Sequence, residues 1–317
     1  MNFINKMNFL ERALDKTNHF WKYILVGIIF FVSGLIGFIP KNVVGRVRGS
    51  RIGENALNEY LETMDLTLLG ISQNMSMLLE LLPLTVALFA CILGVKYLHS
   101  RTFSETVNGT KKVRWNHAFV GFVVWFLLLS IYALIYLAIS PDNFTFQFDI
   151  KSFLPLLLIV MLFTPLQTTC EEFLLRGYVT QGVAVLTKNR WLAVIIPGIL
   201  FGLMHIANPE VSEYGFWVAM PRYIIFGLIF GLTAVLDDGI ELAIGMHAAN
   251  NIFVRSFVTS STLAAPFHQH EVDMGVETIV LTIIGIIAIV FFARKYKWDF
   301  RVMNKKVEPL PSIEIEN

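Results

Sequence analysis

The chain has 317 residues, of which 55% are hydrophobic and 15% are charged. Soluble domains carry about 25% charged residues, and the mean hydropathy here is +0.62. These values exclude a soluble globular domain and predict an integral membrane protein in contact with the lipid bilayer. The 25 Lys and Arg balance the 24 Asp and Glu, so the charge gives no sign of a nucleic-acid partner, and none is predicted.

The hydropathy pattern predicts an all-α polytopic membrane helix bundle with about eight transmembrane helices. Residues 1–21 are polar and mixed in charge, which predicts a short amphipathic lead-in. Residues 41–75 are also polar and predict a loop or a surface helix. The predicted spans are residues 23–40, 76–98, 118–139, 153–172, 191–206, 216–236, 242–258 and 277–293.

Three parts of the chain are distinguished by where the polar intramembrane residues lie. Residues 1–150 form an N-terminal region with three transmembrane helices, and residues 151–260 form the core that carries those polar residues. Residues 261–317 hold the last transmembrane helix and a basic, disordered cytoplasmic tail. Eight spans and the basic loop at 99–114 place both termini in the cytoplasm, although the basic residues at 41–51 argue against this topology.

Two adjacent carboxylates, Glu171 and Glu172, follow an uncharged run of nineteen residues, 152–170. An ionisable residue inside a bilayer is costly and by default marks a functional site. Glu172 and Arg176 are spaced i,i+4 and can pair on a helix, whereas Glu171 points about 100° away. Burial without a cation disfavours the charged carboxylate, so Glu171 is predicted to act as a base near neutral pH. The alternative is that both carboxylates end a helix at the cytoplasmic interface.

His205 lies in a later apolar segment, one helical turn after Phe201, whose ring is predicted to pack on the imidazole. If the segments on either side of the turn at 188–190 are helices, Glu171 and His205 lie at the same depth, roughly 20–25 Å from that turn. This coincidence favours a shared site. Taken alone, a histidine in an apolar helix is more often a hydrogen-bonded packing residue than a chemical group.

His247 and Asn251 form a second i,i+4 pair and are predicted to project from one helix face. The small residue Gly245 next to them permits close helix contact. Taken alone, the pair is equally consistent with an interhelical hydrogen bond. Three segments that each carry such residues are better explained by one assembled polar site. Two further charged residues, Glu80 and Arg222, lie near span ends and are predicted to face an interface.

At these residues the sequence resembles the CPBP family of intramembrane proteases, which includes the type 2 CAAX prenyl-protein endopeptidases and the bacterial Abi proteins. The three matching pieces cover about residues 150–260 and show no departure from the family pattern. They are Glu171-Glu172-x-x-x-Arg176, Phe201-x-x-x-His205 and His247-x-x-x-Asn251.

The resemblance implies an intramembrane endopeptidase that hydrolyses a peptide bond in a membrane-associated peptide or protein. In that reading Glu171 activates a water that His205 orients, and His247 and Asn251 stabilise the oxyanion, as such hydrolysis requires. The architecture is supported by three further residues, Glu172, Arg176 and Phe201. The resemblance and the Ile-, Phe- and Asn-rich composition favour a bacterial cell membrane as the location.

Family members are often described as metalloproteases, and a catalytic zinc takes three protein ligands and a water. Glu172, His205 and His247 could supply three such ligands. However, the chain has no His-Glu-x-x-His motif, and Glu172 would have to leave Arg176. We therefore favour a mechanism with no metal and no other cofactor, with zinc at those three residues as the alternative.

Two other classes of function compete with the protease. The first is a non-catalytic membrane protein of the Abi type, which serves bacteriocin self-immunity or acts as a scaffold and keeps the polar site as structure. The second is a proton-coupled transporter that uses Glu and His as relays. Transporters of this kind usually show repeated halves with broken helices in matching positions, and the sequence shows no such repeat, so this class ranks last.

Overall fold

The computed structural model describes residues 9–14, 18–259 and 265–309. Within these ranges the chain forms a bundle of twelve α-helices and one short sheet. The all-α polytopic architecture predicted from hydropathy is therefore confirmed. The helices are α1 (Phe20–Ile52), α2 (Glu54–Thr63), α3 (Gln73–His99), α4 (Phe103–Asn108), α5 (Trp115–Ile139), α6 (Ile150–Glu172), α7 (Thr180–Thr187), α8 (Arg190–Met204), α9 (Pro209–Tyr214), α10 (Phe216–Leu236), α11 (Glu241–Ser256) and α12 (Met274–Tyr296).

Short elements connect these helices. A π-helical segment, Phe173–Val179, joins α6 to α7 without a break. The sheet has the strand order β1-β3-β2, with β1 (Phe144–Phe146) antiparallel and β2 (Val258–Thr259) parallel to β3 (Phe267–Gln269). The 3₁₀ helices are Glu11–Leu14, Thr67–Leu69, Pro141–Asn143 and Phe300–Asn304.

Side chains at the helix starts explain several of the boundaries. Ser72 caps α3, and Asp149 caps α6 by accepting from the amides of Lys151 and Ser152. Asn189 caps α8, directly after the left-handed residue Lys188 that ends α7. Such caps satisfy backbone N–H groups that have no partner within the helix. The turn expected at residues 188–190 is therefore present between two helices.

All eight predicted spans correspond to helices, but only six of these helices are long and apolar enough to cross a bilayer. Among the described residues, six helical segments are long and apolar enough: α1, α3, α5, α10, α12 and the continuous helix Ile150–Thr187. The other two correspond to α8 and α11, with 15 and 16 residues. A membrane-spanning helix needs about 20 residues, so the count of eight is not confirmed.

The stretches outside the predicted spans are more ordered than a loop. Residues 41–75 are expected to form a loop or a surface helix, and much of this stretch is helical, because α1 continues through Pro40 to Ile52 and α2 follows. Of the predicted lead-in, Phe9 and Leu10 are buried, and the Phe9 amide donates to Asp238 Oδ1 at 2.9 Å. Of the predicted tail, residues 310–317 lie outside the described residues. The part before them includes the 3₁₀ helix Phe300–Asn304.

The helix α11 lies between α5 and α6 and is the central element of the polar site. Its approach to α5 is very close, because a Cβ on Gly245 would lie 1.9 Å from the carbonyl oxygen of Ala118. Its first residue, the fully buried Glu241, accepts hydrogen bonds from the Arg114 amide at 3.0 Å and from Arg114 Nε at 3.1 Å. Backbone contact and a buried ion pair therefore fix both the height and the rotation of α11.

Candidate active site

Helices α6 and α11 bring two rows of polar side chains face to face. The rows follow helical spacing, so each occupies a single face. In the α6 row the positions are i, i+3 and i+7, and in the α11 row they are i, i+4 and i+8. The α6 row is Thr164, Gln167 and Glu171, and the α11 row is His247, Asn251 and Arg255.

Contacts between the two rows show that the helices run antiparallel. His247 Nε2 lies 3.6 Å from Glu171 Oε2, and Asn251 Nδ2 lies 3.4 Å from Gln167 Oε1. Arg255 Nη1 donates to Gln167 Oε1 at 2.8 Å and lies 3.3 Å from Thr164 Oγ1. Residue numbers therefore rise along α11 as they fall along α6, and one polar face meets the other over about two turns.

Glu172 is held in place by two side chains, Arg176 and His247. Its Oε1 accepts from Arg176 Nη1 at 2.8 Å and lies 2.8 Å from Nδ1 of His247. Glu172 and Arg176 are fully buried, and the guanidinium carbon of Arg176 lies 4.2 Å from the centroid of the Phe201 ring. The predicted pairing is thus present, although Arg176 lies in the π-helical segment, a conformation that is often found at functional sites.

Glu171 differs from Glu172 in its partner, which is a neutral amide and not a guanidinium, while each carboxylate leaves its Oε2 without a hydrogen-bond partner among the described residues. Oε1 of Glu171 accepts a hydrogen bond from Nε2 of Gln167. Its Oε2 is buried and has no hydrogen-bond partner among the residues that the structure describes. That oxygen faces His247 Nε2 at 3.6 Å, which is longer than a hydrogen bond. Glu171 therefore has one occupied oxygen and one that is free to accept a proton.

His205 is fixed by its backbone and by two aromatic rings. Its Nδ1 lies 2.7 Å from the carbonyl oxygen of Phe201, so Nδ1 carries the proton and donates. The imidazole packs on the Phe201 ring at 4.5 Å, as predicted, and stacks on Tyr223 at 4.5 Å with 20° between the planes. In the neutral ring this leaves Nε2 as an acceptor.

One cavity of about 400 Å³ collects all four residues that the resemblance implies are catalytic. Glu171, His205, His247 and Asn251 line it together, although they come from three helices. Arg222 lines the same cavity, and its expected position at an interface stays a prediction. A second cavity of about 550 Å³ shares six of the lining residues and extends the first towards α5 and α12: Asn208, Glu210, Arg222, Asn250, Val254 and Arg255.

Comparisons with known proteins agree with this arrangement. Residues 150–253 match the family model described as type II CAAX prenyl endopeptidase Rce1-like. An uncharacterized protein of Bacillus subtilis (strain 168), YyaK, is 30% identical over 260 residues, which make up 80% of this chain and 83% of the relative. The chain belongs to the Rce1-like family. No solved structure matches it significantly.

Membership in the Rce1-like family confirms the resemblance that the three motifs indicate. At family level it places the protein among CAAX-protease-like intramembrane endopeptidases, and the helices make it an integral membrane protein. The matched residues begin with α6 and end within α11. They therefore contain both polar rows except Arg255, together with the His205 helix.

Several residues of this Rce1-like site do not stand out in the sequence. Gln167 and Arg255 contact the predicted residues directly, and Tyr223 stacks on His205. The signal for the first two is helical spacing, because Gln167 lies four residues before Glu171 and Arg255 four residues after Asn251. Tyr223 has no such signal, since its helix, α10, is brought to the site by tertiary packing alone.

The donor set does not fit a zinc ion held by Glu172, His205 and His247. Among the described residues, no group of three His, Cys, Asp or Glu side chains converges as a metal site requires. Arg176 already neutralises Glu172 through Oε1. The Nδ1 contacts of His247 and His205 leave Nε2 of both rings available, as in histidines that bind zinc, so these contacts do not decide the question. The metal dependence of the reaction stays a prediction that a direct assay must test.

Proposed function

We propose that the protein is an intramembrane endopeptidase in which Glu171 activates a water for attack on a peptide bond of a membrane-associated peptide or protein. The observation that carries this proposal is the free, buried Oε2 of Glu171 in a cavity that also contains two imidazoles and an amide. A base that lacks a competing partner and shares a cavity with N–H donors is what peptide hydrolysis requires.

The proposed first step uses Glu171 and His205. Oε2 of Glu171 takes one proton from the water, and the remaining hydroxide attacks the carbonyl carbon of the substrate. Because Nδ1 of His205 donates to the Phe201 carbonyl, its Nε2 accepts a hydrogen bond from the same water and orients it. The rings of Phe201 and Tyr223 on this imidazole support the positioning role, since they limit its rotation.

The proposed oxyanion donors are His247 and Asn251. The carbonyl oxygen becomes negatively charged in the tetrahedral intermediate, and N–H groups aimed at it stabilise that charge. Glu172, held by Arg176, accepts from Nδ1 of His247, so a second proton on this ring lies on Nε2, from which it can be donated to the oxyanion. The amide nitrogen of Asn251 lies 3.4 Å from that Nε2, so both donors reach one region.

The proposed second step returns the proton. The protonated Oε2 of Glu171 donates its proton to the leaving amine, the C–N bond breaks, and the oxyanion collapses to a carboxylic acid. The site is thereby restored without a covalent intermediate. Each group in this scheme has one role that its contacts support, and no metal carries any step.

A single-turnover cleavage assay with purified protein in lipid vesicles tests the proposal. Two probes are used, a quenched fluorescent farnesylated CAAX peptide and a pooled library of quenched transmembrane peptides. We expect cleavage of at least one probe by the native chain and none above background by Glu171→Gln, with the variant still folded in the vesicle. Absence of cleavage of both probes by the native chain would contradict the proposal and favour the non-catalytic role in immunity or scaffolding.

A further inference from the structure

The side-chain amides of Asn250, Asn251 and Gln167 form a hydrogen-bonded series that leads to Glu171. The donor-to-acceptor direction of this series is fixed at both ends. The buried indole Nε1 of Trp125, which can only donate, lies 3.4 Å from Oδ1 of Asn250. Nδ2 of Asn250 then donates to Oδ1 of Asn251 at 3.1 Å, so the nitrogen of Asn251 must face Gln167. Because the first donor cannot act as an acceptor, none of these amides can be flipped without losing a bond.

Arg255 fixes the direction at the other end of this hydrogen-bonded series. Its guanidinium also can only donate, and it donates to Oε1 of Gln167 at 2.8 Å. The oxygen of Gln167 therefore has two donors, Arg255 and Asn251. Its Nε2 is left to donate, and the acceptor is Oε1 of Glu171. The hydrogen bonds that start at Trp125 and the one that starts at Arg255 therefore both lead through Gln167 to Oε1 of Glu171.

Arg255 has no obvious structural reason to carry a charge here. Among the residues that the structure describes, its hydrogen-bond partners are the neutral oxygens of Thr164 and Gln167. A guanidinium within a membrane protein is costly and normally pairs with an anion. The nearest carboxylate along its contacts is Glu171, which it reaches only through the Gln167 amide. This arrangement places a positive charge next to the proposed base without blocking either of its oxygens.

We infer that Gln167 and Arg255 are positioning residues, which together hold Oε1 of Glu171 so that Oε2 is presented to the water. The inference rests on the proposed function. Gln167 donates the hydrogen bond to Oε1 of Glu171. Arg255 fixes the orientation of the Gln167 amide by donating to its oxygen, and it adds a positive charge near Glu171.

Other charged or titratable side chains also surround Glu171. Glu172 and Arg176 are on its own helical segment, and His247 is on α11. Across the cavity lie His205, Glu210, Arg222 and Tyr223, and Glu80 faces Arg255 from α3.

The first test compares Gln167→Met with the native chain, using the better cleaved of the two probe peptides. Removal of a hydrogen bond to a charged group is expected to lower kcat by about tenfold to a hundredfold. KM should change by less than about twofold, because the bond is made to the base and not to the substrate. The acidic limb of the kcat–pH profile should move to higher pH, because a carboxylate that loses a hydrogen-bond donor holds its proton more strongly.

Two variants separate positioning from simple loss of structure. Gln181→Met makes the same change at another fully buried glutamine, which binds the carbonyls of Phe9 and Thr106. It should lower the unfolding temperature without moving the pH profile. At the other end of the hydrogen-bonded series, Arg255→Lys keeps a donor and a positive charge and should retain most of kcat. Arg255→Met removes both and should behave like Gln167→Met.

The outcomes of this experiment distinguish the inference from the proposed function. A native chain that cleaves, a Glu171→Gln variant that does not, and a Gln167→Met variant with an unchanged pH profile would overturn the inference and leave the protease assignment intact. A native chain without activity would overturn the protease assignment itself. If Gln181→Met moved the profile as much as Gln167→Met, the shift would be a general effect of destabilisation and the positioning role would be wrong.

Discussion

The Nδ1 atom of His247 lies 2.8 Å from Oε1 of Glu172, so the carboxylate that pairs with Arg176 also orients the imidazole. The adjacent Glu171 meets the other nitrogen of the same ring at 3.6 Å. One histidine thus lies between two neighbouring carboxylates with different partners. Glu172 is paired with an arginine and Glu171 is not, and this difference supports the proposal that Glu171 is the reactive member of the pair.

The Glu172–Arg176 ion pair should contribute to stability mainly when both partners are present. Both side chains are fully buried, so removal of one leaves an unpaired buried charge, which costs about 3–5 kcal/mol. We expect Arg176→Met to lower the unfolding temperature strongly in detergent. The double variant Glu172→Gln/Arg176→Met should be destabilised by less than the sum of the single variants.

Arg301→Met is the matched control for the Glu172 and Arg176 variants. Arg301 also pairs with a carboxylate, Asp299 at 2.8 Å, but its side chain is 88% exposed. An exposed pair contributes little, so this variant should unfold at nearly the native temperature. Equal losses in Arg301→Met and Arg176→Met would show that burial does not govern the effect.

Replacement of His247 should act on the chemical step. Gln at this position can keep one hydrogen bond to Glu172 but cannot carry a second proton towards the oxyanion. Loss of one oxyanion donor costs about 10²–10³ in kcat, and we expect His247→Gln to fall in that range with a small change in KM. His117→Gln is the control, because His117 binds Asp237 at 2.8 Å on another part of the molecule. A larger effect on KM than on kcat would instead assign His247 to substrate binding.

Chelators should leave the activity unchanged. The residues that could bind zinc do not converge among the described side chains, and the proposed base and donors act without a Lewis acid. We expect equal cleavage rates before and after treatment with 1,10-phenanthroline, and elemental analysis should find zinc well below one ion per chain. Loss of activity that added zinc restores would replace the glutamate mechanism by a metal mechanism.

The sequence predicts the site well where helical spacing carries the information. The pairs Glu172–Arg176 and His247–Asn251 are each four residues apart, and both are in contact in the structure. The same rule extends to Gln167 and Arg255, which the motifs do not include. An i,i+4 pattern is local, so it survives even though the π-helical turn after Glu172 is not visible in the sequence.

Features that depend on tertiary packing could not be predicted in this way. Tyr223 reaches His205 because α10 packs against α8, and no local pattern reports that contact. The buried Phe9 donates its amide to Asp238, which lies 229 positions away in the sequence. The count of eight spans is not confirmed, because α8 has only 15 residues and α11 only 16. Hydropathy does not separate these two helices: α11 is largely buried by its neighbours, whereas α8 exposes an apolar face.

The last prediction concerns the contact that sets the height of α11. A Cβ on Gly245 would lie 1.9 Å from the carbonyl oxygen of Ala118, which is backbone and cannot move aside as a side chain can. Gly245→Ala should therefore push α11 away from α5, lower the unfolding temperature and reduce cleavage, because His247 is two residues further along the same helix. Fluorescence-detected unfolding and the single-turnover assay measure the two effects.

Gly27→Ala makes the same substitution on α1, where a Cβ meets no atom within 4 Å. Alanine is the better helix former by about 1 kcal/mol, so this variant should be at least as stable as the native chain and fully active. We therefore expect stability and activity to fall together only where the added Cβ meets the backbone of another helix. If Gly245→Ala kept native cleavage, the close approach of α5 to α11 would not be what places His247 beside Glu171 and Glu172.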